Sequence, residues 1–161
     1  MNQLMKTPLF LVLLSSVAAL TACSYSTNFV VINATNNSIE VRYRIKKPID
    51  PLAPSRLPEV PAVKQISELD RQIPWRELPA SRFTFDPDTR VAVVSLMPGE
   101  TLRVEQRKLN DGTQDDSYQN ANFSIEEIKI TGNIGEVTLR GEQVRRSFVP
   151  VSKTLYTLTY P

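Results

Sequence analysis

The sequence predicts an all-β chain, an antiparallel β-sandwich of about eight short strands with a proline-rich insertion that carries one short helix. Three observations lead there. Apolar residues alternate with polar ones over 39–46 and again over 153–160, the period of a strand with one face toward a core. Turn residues punctuate the chain at short intervals: Asn36-Asn37-Ser38, Asp86-Pro87-Asp88, Pro98-Gly99 and Asn110-Asp111-Gly112. Helical spacing of apolar residues is confined to one stretch, 60–73.

Taken in order, 28–33 contains Phe29-Val30-Val31-Ile32 without a break and reads as a buried strand. After a turn at Thr35-Asn36-Asn37-Ser38, residues 39–46 put Val41, Tyr43 and Ile45 on one face and Glu40, Arg42, Arg44 and Lys46 on the other. The two segments are expected to form a hairpin. From 47 to 80 seven prolines, at 48, 51, 54, 58, 61, 74 and 79, argue against sheet interior, because proline cannot donate to a ladder. Within that arm Val63, Ile66, Leu69 and Ile73 fall at helical spacing between Pro61 and Pro74, which predicts a short helix over 60–73. Strands resume at 82–85 and at 90–96, the second apolar on both faces. Met97-Pro98-Gly99-Glu100 suits a type II turn, with glycine at the third position. In 101–108, Leu102 and Val104 are expected inward and Arg103, Glu105 and Arg107 outward. Phe123 and Ile125 share one parity, Ile128 and Ile130 the other. A bulge at Glu126-Glu127 would keep all four on the core side. Strands at 136–141 and 153–160 complete the set, the last with Tyr156, Leu158 and Tyr160 on one face. The architecture is similar to immunoglobulin-like or transthyretin-like sandwiches, although no Cys…Trp…Cys pattern marks a true immunoglobulin domain.

The N-terminus is organised differently. Lys6 precedes the apolar run Leu9-Phe10-Leu11-Val12-Leu13-Leu14, and Val17-Ala18-Ala19-Leu20 leads to Thr21-Ala22-Cys23. A basic start, a short apolar core and small residues before a cut describe a secretory signal peptide, too short to span a bilayer comfortably. Leu20-Thr21-Ala22-Cys23 resembles the lipobox of bacterial lipoproteins. The resemblance implies that 1–22 are removed and that Cys23 becomes a lipidated first residue, leaving 23–27 as a short tether and 28–161 as one domain with its arm at 47–80. Ser24 after the cysteine resembles the pattern of lipoproteins sorted to the inner leaflet of the outer membrane, facing the periplasm. The other reading is an ordinary signal peptide cut nearby, with Cys23 a free thiol.

Composition narrows the chemistry. Of 161 residues, removal of the first 22 leaves 139, enough for a core without disulfides. The formal charge of +2 drops by one with Lys6, so no basic field points to nucleic acid. The chain has no histidine and a single cysteine, which excludes histidine-based triads and dyads and most zinc or copper sites. No cofactor or metal is expected. The Asn-x-Ser/Thr sequons at Asn33, Asn36 and Asn122 read, behind a lipobox, as turn and strand residues. The pairs Asp86/Asp88, Asp115/Asp116 and Glu126/Glu127 are adjacent in sequence and do not have the facing arrangement of a glycosidase pair. Asp111, Asp115 and Asp116 lack calcium-loop spacing.

Two features are candidate contacts. Lys46 and Lys47, on a strand running back toward the anchor, would lie beside anionic headgroups, each contributing about 1 kcal/mol; the plainer reading is a solvated strand face. Trp75, the only tryptophan, would either bind a partner or ligand or pin the arm to the sheet. The expected function is a non-catalytic, lipid-anchored module of an envelope complex that binds an envelope protein through a sheet edge or the arm. The alternative is a lipoprotein that binds carbohydrate or peptidoglycan fragments.

Overall fold

The computed structural model describes residues 24–47, 61–110 and 123–161. Cys23 and the segment before it, residues 48–60 of the proline-rich arm, and the polar loop at 111–122 with its three aspartates and Asn122 lie outside the described residues.

The fold is an all-β sandwich of two sheets. Its strands are β1 (Ser24–Asn33), β2 (Ile39–Ile45), β3 (Ala62–Gln65), β4 (Arg76–Glu77), β5 (Phe83–Asp86), β6 (Val91–Leu96), β7 (Glu100–Asn110), β8 (Ile125–Gly132), β9 (Gly135–Arg140), β10 (Val149–Ser152) and β11 (Leu155–Tyr160). One sheet has the order β10-β11-β1-β7-β3-β4 and the other β5-β6-β2-β8-β9. The described residues thus hold eleven strands where the turn signals implied about eight. The extra ones are the short edge pieces β4 and β10, together with β3. Between the sheets lie Phe29, Val31, Val41, Tyr43, Val94, Leu96, Leu102, Ile128, Ile130 and Tyr160, each nearly inaccessible to solvent. Burying each aliphatic or phenylalanine side chain among them contributes about 1.5–3 kcal/mol.

The expected hairpin of β1 and β2 does not form. β1 lies between β7 and β11, parallel to β11, while β2 lies in the opposite sheet between β6 and β8. The turn at 34–38 is an arch from one sheet to the other, so Phe29 and Val31 face Val41 and Tyr43 across the core rather than beside them. Buried Asn33 holds the arch. Its amide nitrogen donates to the carbonyls of Asn37 at 2.8 Å and Leu96 at 3.0 Å, and its oxygen accepts from Thr35 N–H and Oγ. β1 also begins at Ser24, four residues earlier than expected, where it pairs with the end of β7.

The short helix expected over 60–73 is replaced by β3, a single 3-10 turn at Ile66–Glu68, and irregular chain. β3 lies inside its sheet: Ala62 faces Arg103 and Glu77, and Val63 faces Leu102 and Arg76. The prolines at 61, 74 and 79 flank the ladder and remove no donor from it. β-branched Val63 gains a place in the core that one turn of helix would not supply. The Glu68 carboxylate accepts the Gln65 N–H at 2.9 Å and ends the strand. A helix does occur further on, α1 (Glu142–Arg146), which buries Val144 and sets the Arg145 guanidinium over the rings of Phe29 and Tyr156.

Local readings that depend on parity fare unevenly. β8 bulges at Glu126: Ile45 faces Ile125 and Arg44 faces Glu127, and Phe123, Ile125, Ile128 and Ile130 are all buried. Gly99 sits at φ +72°, and the Glu100 N–H returns to Met97 O at 3.1 Å, as a type II turn requires. β6 buries Val91, Ala92, Val94 and Leu96, with Val93 half-buried and Ser95 exposed. β7, however, bulges at Val104: Val30 faces Arg103 and Phe29 faces Glu105. That one residue turns Glu105 and Arg107 inward, against the outward placement that simple alternation predicts. Their side chains are only 8% and 19% exposed.

Candidate functional site

The inward Glu105 organises one end of the sandwich. One oxygen accepts from Arg107 at 2.6 Å, and the other accepts from the Ser124 N–H at 3.1 Å and hydroxyl at 3.0 Å. Arg107 lies over the Phe123 ring. Phe29 stacks on Tyr156 at 4.9 Å and meets Phe123 and Phe148 edge-on at 5.1 and 5.6 Å. Alternation misses this cluster, because the bulge that creates it is set by the pairing with β1.

Lys46 and Lys47 follow β2 at this same end. The Lys46 N–H donates to Ser124 O at 2.7 Å, and its carbonyl accepts from Arg90 at 2.6 Å. Arg90 is the only non-glycine residue at positive φ among the described residues, at +58°. Its guanidinium bonds to the Ile45 and Lys46 carbonyls hold that turn in place. Ser124 touches Glu105, which stands opposite Phe29 of β1. The two lysines therefore belong to the half of the sandwich in which β1 begins, with Lys47 exposed and Lys46 half-buried.

Trp75 lies just before β4 and is half-buried. Lys64 Nζ stands 5.1 Å from the centre of its ring and the Arg103 guanidinium 5.3 Å. Both belong to strands that pair, β3 and β7, so the indole clasps the end of the arm to the six-stranded sheet through cation–π contacts. Its π surface is engaged within the chain, which leaves less of it for stacking on a sugar.

The outer face of the five-stranded sheet carries rows of charge. One row runs Thr84, Val93, Arg42, Lys129, Thr138; the next runs Asp86, Val91, Arg44, Glu127, Arg140. A groove of about 370 Å³ lies over them. Lys129 pairs with Glu136 at 2.7 Å and Arg140 with Glu127 at 3.0 Å, while Arg44 reaches Glu126 at 3.8 Å. The Lys129 ammonium and its hydrogen bond hold the Glu136 carboxyl below the usual range. Hydrogen bonds from Thr89 and from the Asp88 and Thr89 N–H groups do the same for Asp86. Glu126 and Glu127 straddle the bulge and pair with different cations. Among the described residues no three His, Cys, Asp or Glu side chains converge to hold a metal.

At the other end a shallow cleft of about 480 Å³ lies between Ile39, Glu40, Arg82, Phe83, Ser95 and Thr131. Its floor is closed by Arg82, which donates to Ser95 O at 2.8 Å and pairs with the carboxylate of buried Glu100. Burial alone would push the Glu100 carboxyl up. The Arg82 hydrogen bond, the Met97 N–H and the charges of Arg82 and Arg76 outweigh it and hold the group below its ordinary value.

Among the described residues the sheets end in four edge strands, β10 and β4 on one, β5 and β9 on the other. No protein-family model matches the chain, nor does any curated protein or solved structure among those compared with it.

Proposed function

We propose that the chain is a non-catalytic lipoprotein of the bacterial envelope, a β-sandwich held at the inner leaflet of the outer membrane by acyl chains on Cys23 and serving as an accessory module of a periplasmic or outer-membrane complex. The observation that carries this reading is Leu20-Thr21-Ala22-Cys23 behind a basic and apolar leader, ending one residue before β1 at Ser24. A strand that starts next to the lipid leaves no stalk, so the partner must come to the membrane surface. Three acyl chains, at about 0.8 kcal/mol per buried methylene, would hold the body there. The lack of histidine and the single cysteine argue for binding rather than catalysis. Lys46 and Lys47, in the half where β1 begins, would meet anionic headgroups, and Trp75 with β4 offers a contact to a protein partner.

The test is the mass of the mature N-terminal peptide from membranes of a Gram-negative host. The expected product begins at Cys23 and carries a diacylglycerol and an amide-linked acyl chain; Cys23→Ala leaves the leader uncut. A mature chain that starts elsewhere with a free Cys23 thiol overturns the reading. A photoreactive residue at Trp75 then reports the partner in cells: one dominant protein adduct is expected, and a glycan adduct would favour a ligand-binding role instead. Vesicles rich in anionic lipid should bind the unlipidated chain weakly and release it on charge reversal of Lys46 and Lys47. Equal binding by both would remove the lysines from the account.

A further inference from the structure

Three of the four edge strands carry a device against further pairing. β10 contains Pro150 and a register shift, β4 is two charged residues long, and β5 is four residues long and runs into Pro87. β9 carries charge at Glu136 and Arg140 but is neither cut short nor interrupted. It is six residues without proline, pairs with β8 without a register shift, and among the described residues nothing pairs with its other side.

Its hydrogen-bonding phase follows from the turn. β8 and β9 are joined by the two residues Asn133-Ile134, and Gly132 faces Gly135. The residues flanking a two-residue turn exchange both main-chain bonds, and the pairs alternate from there. Gly135, Val137 and Leu139 thus turn their N–H and C=O toward β8. The Gly141 N–H keeps the phase, reaching Glu126 O at 2.8 Å. The N–H and C=O groups of Glu136, Thr138 and Arg140 point to the open side.

We propose that β9 pairs antiparallel with β9 of a second copy of this chain, about a two-fold axis at Thr138. This register is self-complementary in every layer. Glu136 of each protomer faces Arg140 of the other, and Thr138 faces Thr138. These are the residues whose main-chain groups are free, so each facing pair exchanges two bonds. On the inner layer Val137 faces Leu139 of the other protomer. Val137 is 40% exposed although it stands opposite core residue Ile130, and the pairing covers it. At the ends Gly135 faces Gly141 of the other protomer, and a Cβ built at either glycine meets nothing within 4 Å. The product is an isologous dimer with one continuous ten-stranded sheet. A contact one strand wide, about 20 Å long, is small beside a standard interface of about 1,600 Å². The dissociation constant expected is micromolar. The pairing is independent of the lipid anchor.

Sedimentation velocity on the full chain in mild detergent, from 1 to about 100 μM, should show a monomer–dimer equilibrium. Thr138→Pro removes an open-side donor and no bond to β8, and should leave a monomer. Glu136→Arg and Arg140→Glu each place like charges opposite each other, and each should weaken self-association about tenfold. Mixed together, the two variants should form a heterodimer at wild-type strength, since every facing pair is then of opposite charge. Thr138→Cys should give a covalent dimer under mild oxidation that wild type does not, because facing residues bring their Cα atoms to about 5.5 Å. A wild-type monomer throughout the range overturns the proposal. So does a dimer that Thr138→Pro leaves intact, or a Thr138→Cys adduct only with a different polypeptide.

Discussion

Replacing Asn33 with alanine tests whether the arch between the sheets depends on one side chain. Asn33 is inaccessible to solvent and makes four hydrogen bonds, to Asn37 O, Leu96 O, Thr35 N–H and Thr35 Oγ, between 2.8 and 3.0 Å. At a net 1 kcal/mol or so each, the four sum to about 4 kcal/mol. Asn37 and Thr35 are near the surface and water can replace part of their share, which lowers the expected loss to about 3 kcal/mol. The Leu96 carbonyl has no such recourse, since its bond is buried. In a chain of this size that corresponds to a fall in Tm of roughly 10 °C. Urea unfolding followed by Trp75 fluorescence is the assay, and the midpoint should move at constant slope. Asn33→Asp should be no better, because it keeps the acceptor but loses both donors. Asn36→Ala, at an exposed position of the same turn, should stay within about 0.5 kcal/mol of wild type. A loss below about 1 kcal/mol for Asn33→Ala, or a wild-type-like Asn33→Asp, would refute the reasoning.

Three further outcomes follow from the same structure. Glu100 has its carboxyl held below the ordinary value by Arg82 and the Met97 N–H against the push of burial. Its contribution is therefore complete above the unfolded value and is lost as pH falls through the depressed one, so Glu100→Gln should flatten the acid side of the stability–pH curve and lower the plateau near neutrality; an unchanged acid limb would contradict the pairing. Gly132→Ala would put a Cβ 2.7 Å from Tyr160 Cε1 and 3.0 Å from Ile39 Cγ2 and should cost about 1–3 kcal/mol, measured by thermal unfolding, because Tyr160 is buried and tied to Gly135 O at 2.8 Å. Trp75→Ala should cost about 1–2 kcal/mol through the lost contacts with Lys64 and Arg103; a neutral effect on denaturation combined with lost crosslinking to a partner would make Trp75 a contact residue rather than a clasp.

The candidate site was legible in part. The sequons at Asn33 and Asn36 look alike in sequence, yet one is a buried strut and the other an exposed turn residue. Lys46 and Lys47 could be placed in the half of the sandwich where β1 begins because β2 runs back whether the two strands share a sheet or face each other across it. Trp75 stood out by being alone, but its partners Lys64 and Arg103 come from 11 and 28 positions away, and nothing local names them. The Glu105–Arg107–Ser124 cluster was hidden because two charged residues at alternate positions look like a wet face. The self-complementary order Glu136, Thr138, Arg140 was present in the sequence all along. It acquires meaning only once β9 is an edge strand with those three residues turned to the open side.

What the sequence determined by itself is local. The alternation of 39–45 set which side chains of β2 are buried, the change of parity between Ile125 and Ile128 located the bulge at Glu126, and Gly99 set the turn before β7. These follow from the period of two in an extended chain and from the torsions that glycine alone reaches cheaply. Only the tertiary structure decided which sheet each strand joins, that 62–65 is a strand and not a helical turn, and that β7 slips by one residue at Val104. The physical reason is that a strand has half of its bonding groups on each edge and satisfies them with segments remote in sequence. Which remote segment wins is settled by packing of the shared core, and a one-residue slip in that pairing reverses every side chain beyond it.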